Sequence, residues 1–124
     1  MKVFVLLGSI YGLIAVATGA FGAHGLQNKV EPRMLEVWET AAQYQMYHAL
    51  ALIAAAWMVH QTQSTVALVA GWSFAVGVLV FSGSLYVMVL SGIRALGAIT
   101  PVGGLALMVG WFCLILAALK LETT

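Results

Sequence analysis

The side chains able to do chemistry are few. His24 and His48 stand on separate apolar runs, and Gln43-Tyr44-Gln45-Met46-Tyr47-His48 is the densest polar stretch. Ser82 and Tyr86 share a helical face at i, i+4, and Arg94 shortly precedes Thr100-Pro101-Val102-Gly103-Gly104. Two imidazoles on different helices suit an axial haem pair, and His48 with Tyr86 suits a proton relay. A zinc site needs three or four ligands; no Cys, Asp or Glu is spaced to complete one, so no metal ligand is assigned. The plainer readings are a hydrogen bond from His48 to Tyr86 or Ser82, worth about 0.6–2 kcal/mol, and an interfacial cap for His24. Glu36 and Glu39 read as a solvated helix face rather than a carboxylate pair. No nucleophile elbow, phosphate loop or metalloprotease helix occurs. The chain reads as non-enzymatic, with no catalytic residue.

The elements that position these residues must be helices in lipid. Of 124 residues, 63% are hydrophobic and 7% charged, against about 25% charged in soluble domains. So few charges cannot cover the wet surface of a soluble domain, and so apolar a chain is not disordered. A net charge of +1 leaves no nucleic-acid footprint. A lone Cys113 supports neither a disulfide framework nor a thiolate metal site.

Residues 3–23, 61–93 and 95–119 carry no charge, and each contains the ~20 residues that cross a ~30 Å hydrocarbon core. Such spans must be helical, because lipid cannot satisfy an open strand edge. Residues 46–59 are shorter, but a helical pattern extends back to Pro32, a residue suited to a first turn. That helix would be about 42 Å long, with Trp38 and Trp57 as interfacial anchors. The expectation is an all-α integral membrane protein, one domain over residues 1–124. Its antiparallel four-helix bundle has spans near 3–23, 41–59, 66–91 and 99–119. Lys2, an apolar run and Ala15-Val-Ala17 resemble a secretory signal, but the run exceeds the usual signal core and is expected to be retained.

Small residues at helical spacing mark contact faces in lipid. Gly8, Gly12 and Gly19 form one stripe, and Ala106 and Gly110 belong to another; packing within the bundle is expected, with contact between protomers as the alternative. The connections at 24–40 and 91–100 carry Lys29, Arg33 and Arg94, while the other side carries Lys2 and Lys120. That count favours cytoplasmic connections, and adding the terminal amine makes it a tie.

With the second span opening near Thr40, the polar residues fall toward the end bearing these connections. Two helices direct their positive dipole ends there. Thr100 reads as an N-cap before Pro101, with Gly103 and Gly104 leaving backbone N–H groups uncovered for an anion. His24, Gln45, His48, Ser82, Tyr86, Arg94, Thr100, Gly103 and Gly104 are thus expected to form a recess for a lipid headgroup or small anion, or to dock an assembly partner. The plainer reading lets Arg94 snorkel to ordinary headgroups. The partners expected are membrane lipids, a homo-oligomer or another membrane protein, and no nucleic acid. No cofactor is expected; a haem-binding or redox subunit on His24 and His48 is the alternative. A carrier or channel built by an oligomer is a third reading, because residues 105–119 leave no polar path through one chain.

Four blocks carry a family resemblance: Gly19-Ala-Phe-Gly-Ala-His24-Gly25-Leu26, Thr40-Ala-Ala-Gln43-Tyr44-Gln45-Met-Tyr47-His48, Phe81-Ser82-Gly83-Ser84-Leu85-Tyr86, and Ile99-Thr100-Pro101-Val-Gly103-Gly104 with Gly110-Trp111. In this order, and over essentially the whole chain, they resemble the bacterial domain-of-unknown-function 423 family, related to transmembrane protein 256. The resemblance implies a small multi-pass protein of the bacterial inner membrane and carries no catalytic assignment.

Overall fold

A computed structural model describes residues 2–121. Helix α1 (Lys2–Phe21) runs into a wide π-helical turn (Gly22–Leu26). Helices α2 (Pro32–Thr62) and α3 (Thr65–Ser91) follow; a 3-10 turn (Arg94–Ala98) then leads into α4 (Thr100–Ala118). No strand occurs among the described residues. Pro32 sits in the first turn of α2, where its missing N–H costs nothing. Gln63 ends α2 in the left-handed region, its N–H bonded to the Val59 carbonyl. Ser64 then caps α3 by accepting from the Ala67 N–H at 3.3 Å. Gly92, at φ +76°, closes α3 where a side chain would be strained.

Consecutive helices pack antiparallel, with α2 and α3 as the central pair. Helix α1 lies against α2 and grazes α3; α4 lies against α3 and grazes α2; α1 and α4 do not meet. On α2, Ala49 faces Gly8 of α1, Ala41 faces Ser82 of α3, and His48 faces Trp111 of α4. At 100° per residue, the α3-facing direction lies between the other two. Helices α1 and α4 therefore flank opposite sides of the α2–α3 pair.

Glycines set these close approaches. A Cβ on Gly8 would lie 2.8 Å from the Ala49 carbonyl, one on Gly103 would lie 2.3 Å from the Phe81 nitrogen, and one on Gly110 would press on the Phe74 ring at 2.5 Å. Gly12 makes only ordinary contact, a Cβ on Gly19 would meet nothing within 4 Å, and Ala106 is half-buried. The α1 seam follows Tyr11, Ala15, Thr18 and Gly22, which places Gly12 and Gly19 at its edge.

Among the described residues, three helical segments are long and apolar enough to cross a membrane: Lys2–Leu26, Thr65–Ser91 and Arg94–Ala118. Helix α2 is more polar, yet it runs beside α1 from Trp38 at Gly22 to Ala49 at Gly8. Its 31 residues extend about 46 Å, well past a ~30 Å core. The residues of its neighbours that meet segment 44–48 lie near the midpoints of α1, α3 and α4: Tyr11 bonds Gln45, Phe81 and Phe74 flank Tyr44 and His48, and Trp111 bonds His48.

Candidate functional site

On the α1 side, one hydrogen-bonded network joins three helices. Gln45 donates to the Tyr11 carbonyl at 2.8 Å and accepts from the Tyr86 hydroxyl at 2.7 Å. Thr18 shares a 2.9 Å bond with Tyr86, and its carbonyl accepts from the Trp38 indole at 2.7 Å. The Tyr11 hydroxyl donates to the Ala75 carbonyl at 2.8 Å. Among the described residues, no buried side-chain polar atom lacks a partner. An unpaired polar group in hydrocarbon costs several kcal/mol, so the pairing of these buried groups is what a helix as polar as α2 would need in lipid.

On the opposite side lies an open groove of about 630 Å³ between α2 and the first half of α4. Tyr44, Tyr47 and His48 form one wall, Gly104, Met108 and Trp111 the other, with Phe81 between. The Trp111 indole donates to Nε2 of His48 at 3.0 Å. Nε2 must therefore be unprotonated, and Nδ1 carries the hydrogen donated to the Tyr44 carbonyl at 2.7 Å. Tyr44 stacks on Phe81 with centroids 4.8 Å apart. Phe74 meets His48 at 5.6 Å and Trp111 at 5.2 Å, closing the aromatic cluster beneath the groove. One helical turn nearer the start of α2, Arg33, Glu36, Thr40 and Leu85 line a smaller cleft of about 250 Å³.

Residues 18–104 match a family described as "Protein of unknown function (DUF423)". The chain is 49% identical over 120 residues to a UPF0382 membrane protein of Staphylococcus aureus (strain bovine RF122 / ET3-1), covering 97% of this chain and 98% of that one. It is 46% identical over 121 residues to the UPF0382 membrane protein YwdK of Bacillus subtilis (strain 168), covering 97% and 98%. This chain belongs to the DUF423 family. No solved structure matches it. As a DUF423 member it is a membrane protein of a family whose role is uncharacterised.

The matched region of this DUF423 protein contains every recess residue named from sequence, but the structure does not gather those nine into one recess. Gln45 and Tyr86 meet in the α1-side network, whereas His48 and Gly104 line the groove on the α4 side. Residues three apart point about 60° apart around a helix, enough to send Gln45 and His48 to opposite sides of α3. Ser82 donates to the Ala41 carbonyl at 2.8 Å and joins α2 to α3. His48 thus pairs with Trp111 and with neither Tyr86 nor Ser82. Thr100 does not cap α4; its hydroxyl bonds Ser84 at 2.6 Å, and Ile99 is the cap residue. Gly103 is pressed against the α3 backbone and leaves no open N–H cradle. Arg94 pairs with Glu31 at 3.3 Å, both side chains about two-thirds exposed. His24 is exposed on the π-helical turn.

The polar segment also packs against the middles of α1, α3 and α4 rather than their ends, although α2 begins at Pro32 as its sequence indicates. The two histidines do not fit a haem: both nitrogens of His48 are engaged, and His24 lies well away along α1. Sequence reasoning gave Tyr11 and Thr18 no role, read Trp38 as an interfacial anchor where the structure buries it on the Thr18 carbonyl, and gave Trp111 no partner. A usable signal existed for three of them: Tyr11 and Thr18, like Trp38 and Gln45, are seven residues apart and recur on one seam.

Proposed function

We propose that this DUF423 protein is a four-span, non-catalytic protein of the bacterial plasma membrane that holds one lipid-soluble molecule in the lateral groove between α2 and α4. The observation that carries this reading is the groove itself. It falls within the ~300–1,000 Å³ of small-molecule sites, is walled mainly by rings and apolar side chains, and opens sideways, where a molecule dissolved in the bilayer can enter. An occupant with a headgroup places it at the Arg33–Thr40 cleft, which shifts the headgroup contact from Arg94 to Arg33. The non-catalytic reading is supported by the commitment of Gln45, His48, Ser82 and Tyr86 to internal hydrogen bonds. The four-span reading is supported by the pairing of α2 along α1, and the bacterial membrane by relatives named as membrane proteins.

The test is to extract the protein in a mild detergent and identify co-purifying molecules by mass spectrometry, beside Gly104→Leu. A Cβ at Gly104 meets the Phe81 ring at an ordinary 3.7 Å, so the backbone accommodates the change while the added side chain fills the groove. A near-stoichiometric lipid-soluble molecule lost from Gly104→Leu is the expected result. The same bound molecules in both proteins would sink the reading.

A further inference from the structure

The groove carries two features that an acyl chain does not explain. Tyr44 and Tyr47 both line the groove, are 39% and 53% exposed, and among the described residues neither hydroxyl has a hydrogen-bond partner. Both lie within about two residues of the α2 position that faces the midpoints of the other helices, a few ångströms along the axis. Lipid-facing tyrosines ordinarily sit at the interfaces, where water and headgroups take up the phenol. At mid-depth a phenol without a partner bears the cost of an unmade hydrogen bond in hydrocarbon. A diacyl lipid offers only methylene groups there, since its ester oxygens lie about 15 Å away at the edge of the core. An oxygen that the occupant itself carries into the bilayer interior would supply the partner that these phenols lack.

The second feature is the shape and polarity of the walls. Tyr44 and Phe81 stack at 27° to one another, and Trp111 faces them across the groove, an arrangement that favours a flat guest. His48 contributes no free N–H, because its one hydrogen goes to the Tyr44 carbonyl. The available donors are the two phenols, and the chemistry they select is a carbonyl acceptor. Resting on the groove reading above, we propose that the occupant is of the quinone class: a flat ring with carbonyl oxygens accepting from Tyr44 and Tyr47, and an apolar tail leaving through the lateral opening. The proposal concerns binding alone, and no electron transfer is invoked.

Native mass spectrometry of the detergent-solubilised chain tests this, with a singly prenylated 1,4-naphthoquinone and dipalmitoyl phosphatidylglycerol offered as separate probes. The unmutated protein is expected to retain one naphthoquinone. The double variant Tyr44→Phe/Tyr47→Phe is expected to retain it about tenfold more weakly, the combined effect of two neutral hydrogen bonds, and Gly104→Leu to lose it. The phenylalanine variants give up no internal hydrogen bond, so their folding should match the parent, and circular dichroism melting checks this. Equal naphthoquinone binding by the double phenylalanine variant overturns the proposal. Retention of the phospholipid but not the quinone overturns the quinone class and leaves the groove reading intact. Retention of neither probe, or a dimer broken by Gly104→Leu, overturns both.

Discussion

Replacing Gly103 with alanine should unseat α4, and the expected size follows from the geometry. The new methyl would lie 2.3 Å from the Phe81 backbone nitrogen and 2.8 Å from its Cα. Ordinary contact begins at 3.4 Å, so the helices must part by about 1 Å; neither contact is a side-chain tip that can swing aside. Overpacking of this kind costs about 1–3 kcal/mol. The gain in helix propensity from glycine to alanine, about 1 kcal/mol, offsets only part of it. Gly83 supplies the internal control: it lies on the helix facing α4, and a Cβ there would meet nothing within 4 Å. Gly83→Ala should therefore keep the propensity gain and match or exceed the parent in stability, while Gly103→Ala falls up to about 2 kcal/mol below it, so the two variants separate by about 1–3 kcal/mol, a severalfold or greater change in the folded-to-unfolded ratio. Reversible denaturation in mixed micelles, followed by circular dichroism and tryptophan fluorescence, measures both. Equal stability of the two variants would refute the claim that α3–α4 contact depends on a missing side chain at residue 103.

Gln45→Leu leaves the Tyr11 carbonyl and the Tyr86 hydroxyl each short of a partner, and a loss of about 1–2 kcal/mol is expected. Tyr86→Phe should cost less, about 0.6 kcal/mol, and a double-mutant cycle in the same denaturation assay should show the two changes to be coupled. Arg94→Ala removes an exposed ion pair with Glu31, a type worth about 0–1 kcal/mol; its denaturation midpoint should stay close to the parent's, and a large loss would place Arg94 in a tighter role than the structure gives it. Cys113 is buried against the α4 seam, so a water-soluble maleimide should leave it unmodified in the folded protein and label it after denaturation, as intact mass will show.

Three of the helices were legible as charge-free runs, and Pro32 marked the start of the charged α2 because proline belongs in a first turn. Depth was harder. Counting from Thr40 puts His48 about 12 Å along the helix, which is already far from an end, and His48 is also near the middle of the 31-residue α2; grouping it with residues at the connection end overlooked that distance. Partners were harder still. The i, i+4 relation of Ser82 to Tyr86 can be read from spacing, yet Ser82 meets an α2 carbonyl while Tyr86 meets α1 and α2 side chains. That outcome depends on the rotation of each helix about its axis. Trp111 was unreadable as the His48 partner for the same reason: the small residues of α4 mark the face that packs on α3, with Gly103, Gly110, Cys113 and Ala117 buried there, but not which side chain beside that face reaches α2.

The separation of α1 from α4 gives the molecule a frame and a door. The frame is α1, α2 and α3, laced together by Gln45, Tyr86, Thr18, Trp38, Tyr11 and Ser82. The door is α4, held by close glycine packing on α3 and by two side-chain hydrogen bonds across helices, Trp111 to His48 and Ser84 to Thr100. Widening the groove would require α4 to shift on α3, its most extensive helix contact, and would leave the α1 contacts untouched. The Trp111–His48 bond is the side-chain link that such a shift would break, and both residues belong to the groove's aromatic wall.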